Sequence, residues 1–217
     1  MSETDLKNAI VKPCGDDVVR VTGLERARLL ALGHYCRQSF DFDSVVDGVS
    51  SLTVQFDPLT YSAEDVVQIL ADAASRSFEN VVSDGEGLVL TVRFGGEDGP
   101  DLEHVLSRLN LTEDALLQRL CEQELTVDML GFTPGFAYIR GLDAALSVAR
   151  RETPRQSVPA GSLGLAAGMV GTYALDGPGG WQIIGRVINT LFDPKKDDPF
   201  LLVPGQKVRI QQAGDSQ

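Results

Sequence analysis

Arginine, glycine and aromatic residues gather in one stretch of this 217-residue chain. Between residues 129 and 192, Arg140, Arg150, Arg151, Arg155 and Arg186 face only Asp143, Glu152 and Asp176, a local net charge of +2. The same stretch holds 11 of the chain's 22 glycines. Guanidinium groups beside stiff loops with exposed amides bind carboxylates and phosphates, because the fork and the N–H groups both point at oxygen. Three loops carry the pattern: Gly131-Phe132-Thr133-Pro134-Gly135-Phe136, then Arg150 to Arg155 leading into Val158-Pro159-Ala160-Gly161-Ser162, then Pro178-Gly179-Gly180-Trp181-Gln182 with the only tryptophan. A planar or anionic ligand suits such loops. The plainer alternative is that the glycines mark tight turns and that Phe132, Phe136 and Trp181 are barrel core. For Trp181 the two readings stand level, since an indole usually keeps one polar edge.

Other chemistries find less support. Gly180 to Val187 has the spacing of a phosphate-binding loop but places Arg186-Val187 where Lys-Ser or Lys-Thr is needed. Gly161-Ser162-Leu163-Gly164 is not a nucleophile elbow, because the serine follows the first glycine directly. His34 and His104 have no ligand-spaced neighbours, so no metal site is expected and both read as ordinary helix residues. Cys14, Cys36 and Cys121 form no CxxC and read as small buried hydrophobes. No residue is assigned as catalytic.

The rest of the chain must position those loops. The net charge is −12 and the sequence pI about 4.5, which turns phosphate backbones and anionic lipid away; neither nucleic acid nor membrane is an expected partner. Apolar residues make up 43% and mean hydropathy is −0.02, a composition that folds. No run approaches the ~20 apolar residues of a membrane span. An acidic start without an apolar core and three unpaired cysteines point to the cytoplasm.

The first part alternates strand and helix signals: a strand over 16–22, a helix from Leu24 to Cys36 with Leu29, Leu32 and Cys36 on one face, and a strand over 51–56. Ser62 then caps a helix through a box with Asp65, its stripe being Val66, Leu70 and Ala73. This order predicts a small α+β sandwich of ferredoxin-like type, over residues 1–84. The acidic, glycine-rich run 79–87 marks the boundary. Residues 85–217 open with a strand over 88–94, then a helix with Leu102, Val105, Leu106 and Leu109 in phase, then a second helix capped by Thr112. Beyond about residue 125, short apolar runs punctuated by Gly and Pro predict a β-barrel or sandwich.

The loops, in this order, resemble the family known variously as the 5-oxoprolinase B subunit, allophanate hydrolase subunit 1 and sporulation kinase inhibitor. The matching segments are GFTPGFAYIRGL (131–142), RRETPRQSVPAGSL (150–163), GPGGWQIIGR (177–186), LFDP (191–194) and LLVPGQKVRI (201–210), with SLTVQFDP (51–58) and VRFGGEDGPDLEHV (92–105) upstream. The resemblance spans essentially the whole chain. It implies an α+β domain followed by a cyclophilin-like β-barrel. It also implies a larger homologous partner subunit and a third subunit, which together hydrolyse 5-oxoproline to glutamate with ATP. ATP, with Mg, is thus expected at the assembled complex, and no motif of this chain binds it. The alternative is a non-catalytic module that inhibits a sensor histidine kinase. By resemblance, Phe132, Pro134, Gly135, Arg151, Arg155, Gly161, Ser162, Gly180, Trp181, Gln182 and Arg186 are expected at the substrate or the subunit interface. The chain departs from the family pattern at Leu120, Leu125 and Gln206, where a histidine, a tyrosine and an aspartate are expected, and in the looser run 168–173.

Overall fold

The computed structural model describes residues 9–76 and 87–214. The chain divides into two compact units, Met1–Ser83 and Asp84–Gln217. Apart from Gly87, the run 79–87 expected to carry the boundary lies outside the described residues.

The first unit is a four-stranded antiparallel sheet with two helices. Its strands are β1 (Ile10–Pro13), β2 (Val18–Thr22), β3 (Ser44–Asp47) and β4 (Ser51–Gln55), in the order β1-β2-β4-β3. Helix α1 (Arg26–Ser39) joins β2 to β3, and α2 (Ala63–Ser75) follows β4. Period-two alternation decides the faces: Val19, Val21, Leu52 and Val54 point inward, while Arg20 and Val46 point out. The inward set packs against Leu29, Leu32 and Cys36 of α1 and Val66, Leu70 and Ala73 of α2. The Ser62 hydroxyl accepts from the Asp65 N–H, and Asp65 accepts in return, completing the capping box. The ferredoxin-like expectation needs β-α-β-β-α-β. The described order is instead β-β-α-β-β-α, with β1 paired to the outer side of β2 as an added N-terminal edge strand. The short strands β1 and β3 escape a periodicity reading because neither alternates through more than four residues.

The second unit is a closed barrel flanked by two helices. It comprises β5 (Leu88–Phe94), α3 (Leu102–Leu109), α4 (Glu113–Glu122), β6 (Leu125–Leu130), β7 (Ala137–Arg140), β8 (Arg155–Val158), β9 (Ser162–Ala166), β10 (Met169–Thr172), β11 (Gly177–Gly179), β12 (Gln182–Val187) and β13 (Lys207–Gln212). The barrel runs β10-β7-β6-β13-β5-β12-β9 and closes through the β9–β10 hairpin, while β8 and β11 pair separately. All barrel pairings are antiparallel except β13 with β5, where Val208 to Gln212 run beside Leu88 to Val92. One apolar cluster joins the barrel to its helices, including Leu90, Leu102, Val105, Leu116, Ile139 and Leu165. Leu120 and Leu125 are fully buried in that cluster, so two of the three departures from the family pattern are core packing positions.

Candidate functional site

One carboxylate organises the arginines of the second unit. Asp101 precedes α3, the position where an aspartate normally caps the helix, yet its side chain makes no cap bond. It turns instead to β12 and the 150–155 loop. The Asp101 N–H donates to the Ile183 carbonyl (2.8 Å), and the Ile183 N–H donates back to Asp101 Oδ2 (2.6 Å). Arg155 forks onto both carboxylate oxygens at 2.8 and 2.7 Å, and Arg151 Nη1 donates to Oδ1 at 2.9 Å. Asp101 is only 4% exposed. Burial alone would raise its pKa, but the hydrogen bonds from Arg155 and Ile183 and the two guanidinium charges prevail and hold it below the ordinary aspartate value.

The pairing corrects the picture of an unopposed basic stretch. Asp98, Asp101 and Asp128 all precede residue 129, and each meets an arginine of that stretch: Arg186 at 2.7 Å, Arg151 and Arg155 as above, and Arg140 at 3.5 Å. Charge summed along a sequence window missed counter-ions brought in by the loop that leads into α3 and by β6. Arg151 and Arg155 are bound in an ion-pair cluster rather than waiting for an anion.

Above Asp101 opens a cleft of about 660 Å³, lined by Asp101, His104, Arg108, Val148 to Thr153 and Gln182. Asp101, His104 and Arg108 stand at i, i+3 and i+7, one face of α3. Among the described residues, Arg108 and Arg150 pair with no carboxylate; the Arg150 guanidinium lies 5.7 Å over the Trp181 ring. Glu152 is the one acid on the lining not already held by arginines. The floor is Gln182, 5% exposed. Its Nε2 donates to the Ala149 carbonyl at 3.1 Å, while its Oε1 has no hydrogen-bond partner among the described residues.

The remaining expected site residues fall in three places. Gly180 supports the cleft from behind, its carbonyl accepting from the Arg151 N–H at 2.7 Å. Trp181 is 5% exposed and packs edge-on against Phe136 and Tyr138, so it is core with one face under Arg150. Gly161 and Arg186 line a second cleft of about 440 Å³ with Arg93 and Asn189. There Arg93 and Arg186 share Asp98 at 2.8 and 2.7 Å. Ser162 is buried, and its carbonyl accepts from the Tyr173 N–H. Phe132, Pro134 and Gly135 form the β6–β7 turn, where Phe132 is 62% exposed with φ 72°. Gly135, at φ 74°, also sits where a Cβ would lie 2.7 Å from the Ala174 Cβ. The near match to a phosphate loop is strand β12 rather than a loop.

Reading the sequence alone misses Arg108 and the organising Asp101, takes His104 for an ordinary helix residue, and counts Arg150 in the basic stretch without placing it at the site. The signal for Asp101, His104 and Arg108 was present in the helical spacing 101, 104, 108. Cys14 is exposed and Cys121 half-buried, so only Cys36 is the buried hydrophobe expected of all three. Among the described residues no helix is long and apolar enough to cross a membrane.

The chain matches the model of one family, the carboxyltransferase domain, subdomain C and D, over residues 10–202. It is 37% identical over 173 residues to the 5-oxoprolinase B subunit of Escherichia coli O157:H7, covering 78% of this chain and 79% of that one. To the 5-oxoprolinase B subunit of Haemophilus influenzae it is 35% identical over 192 residues, 86% of each chain. Among solved structures, a conserved uncharacterized protein of Pyrococcus horikoshii aligns with 95% of this chain and 98% of its own at TM-score 0.58 and 35% identity.

Proposed function

Because the chain belongs to the carboxyltransferase-domain family, subdomains C and D, we propose that it is the B subunit of a 5-oxoprolinase. In this reading it forms one wall of a composite site with a larger homologous subunit, and with a third subunit the assembly opens 5-oxoproline to glutamate at the expense of ATP, in the cytoplasm. The barrel is read as cyclophilin-like. The observation that carries the reading is the cleft over Asp101: two arginines without a carboxylate partner among the described residues, in a protein of net charge −12 whose relatives carry that name.

The chemistry fits what these residues can do. A lactam amide resists water, so opening it requires charge to build on its oxygen and be stabilised there. Arg108 and Arg150 hold the substrate carboxylate by charge-assisted hydrogen bonds. The Asp101–Arg151–Arg155 cluster fixes the loop that carries Arg150. Among the described residues the near match to a phosphate loop does not cradle a phosphate: its glycines belong to or abut β12, and a Cβ at Gly185 would meet the Arg93 carbonyl at 2.7 Å. In this reading the nucleotide with its Mg is bound by the assembled complex and not by a phosphate-loop motif of this chain.

Co-expression with the larger companion and the third subunit tests the reading. A stable complex with 5-oxoproline-dependent ATP hydrolysis is expected, reduced at least tenfold by Arg150→Ala. A complex that assembles and never hydrolyses 5-oxoproline would sink it. Failure to assemble, alongside tight binding to a histidine kinase, would favour the inhibitor.

A further inference from the structure

The cleft contains more than cations. Gln182 sits on its floor with the amide nitrogen committed to the Ala149 carbonyl and the amide oxygen uncommitted. Exchanging the two ends would set oxygen against the Ala149 carbonyl, so the orientation is fixed by that contact. A buried carbonyl oxygen without a donor carries a free-energy penalty that a ligand N–H relieves. The rim supplies positive charge: Arg108 and Arg150 pair with no carboxylate among the described residues, while the Asp101 cluster is itself +1, one carboxylate against two guanidiniums.

From these positions we infer that this subunit itself binds the lactam acid, reading its ring N–H with Gln182 Oε1 and its carboxylate with Arg150 and Arg108. The inference rests on the proposed function for the choice of ligand, and it adds which subunit recognises that ligand and by which atoms. The ligand class is a small carboxylate with an N–H donor on the adjacent carbon, as in 5-oxoproline. An ester or ether oxygen in place of that N–H would face the Gln182 oxygen lone pair to lone pair and be rejected.

Calorimetric titration of the full chain without its partners tests this, using 5-oxoproline and the matching five-membered lactone acid. Saturable binding of 5-oxoproline is expected, weakened about tenfold or more for the lactone, as loss of one buried hydrogen bond implies. Arg150→Gln, an exposed position, is expected to weaken both ligands by a similar factor and leave their ratio unchanged. Equal binding of lactam and lactone overturns the role of Gln182. No saturable binding with ligand raised to about 10 mM overturns the inference, since affinity weaker than that gives under ~3 kcal/mol. That result leaves the proposed function standing if the assembled complex still turns over 5-oxoproline and Arg150→Ala still slows it. A complex without turnover fails the proposed function instead.

Discussion

Asp101 satisfies two arginines and an amide with two oxygens, and it is the residue on which the 150–155 loop depends. Removing its charge leaves Arg151 and Arg155 together without a counter-ion, so Asp101→Asn is expected to lower unfolding stability by about 3 kcal/mol in denaturant titration, against a near-neutral effect for Arg150→Ala. Arg155→Ala belongs with the first, not the second: it acts on stability before it acts on any ligand. The same carboxylate predicts acid sensitivity. Its folded pKa lies below the unfolded value of about 3.9, so its contribution is fully present above that pH and disappears as the pH falls through the folded value. Thermal melting from pH 6 to pH 2 should show a drop in Tm that is smaller in Asp101→Asn. At Cys36 burial pushes the thiol up to about 12, so native protein alkylated at pH 8 should label at exposed Cys14 and spare Cys36 until denaturant is added.

Helix α3 is the element that brings the site together, and its approach to β12 is set by Gly99. A Cβ at this position would run into the Ile184 carbonyl, which itself accepts from the Gly95 N–H. Gly99→Ala is therefore expected to cost about 1–3 kcal/mol and to loosen Asp101 from Ile183, seen as faster amide exchange at Ile183. The helices themselves were legible: Ser62 and Asp65, Thr112, and the stripe Leu102, Val105, Leu106 all carry local signals that the structure repeats. What was not legible is anything set by contact between distant elements. The strands β1 and β3 gain their identity from pairing with β2 and β4, not from four residues of pattern. The arginines likewise looked unopposed because Asp101 lies 50 and 54 residues from Arg151 and Arg155 along the chain. Gln182 was among the expected site residues through resemblance, yet the free acceptor that makes it informative is a property of the fold.

At the scale of the whole molecule the two units carry separate cores, one around Leu52 and Leu70, the other around Leu90 and Leu165. The cleft, its arginines and Asp101 all belong to the second. Residues 84–217 expressed alone are expected to fold and to keep the ligand preferences of the full chain, checked by circular dichroism and by the same titration. The parallel pairing of β13 with β5 has a consequence for how that unit is made. The first barrel strand waits, beside β12, for a neighbour that leaves the ribosome some 120 residues later, an interval read from Leu88 and Val208. Until Val208 to Gln212 emerge, both β5 and β6 present raw edges, and the nascent chain is an open sheet with aggregation-prone rims. A stop codon placed just before Lys207 would thus remove no residue that lines the cleft and still leave a chain that never closes.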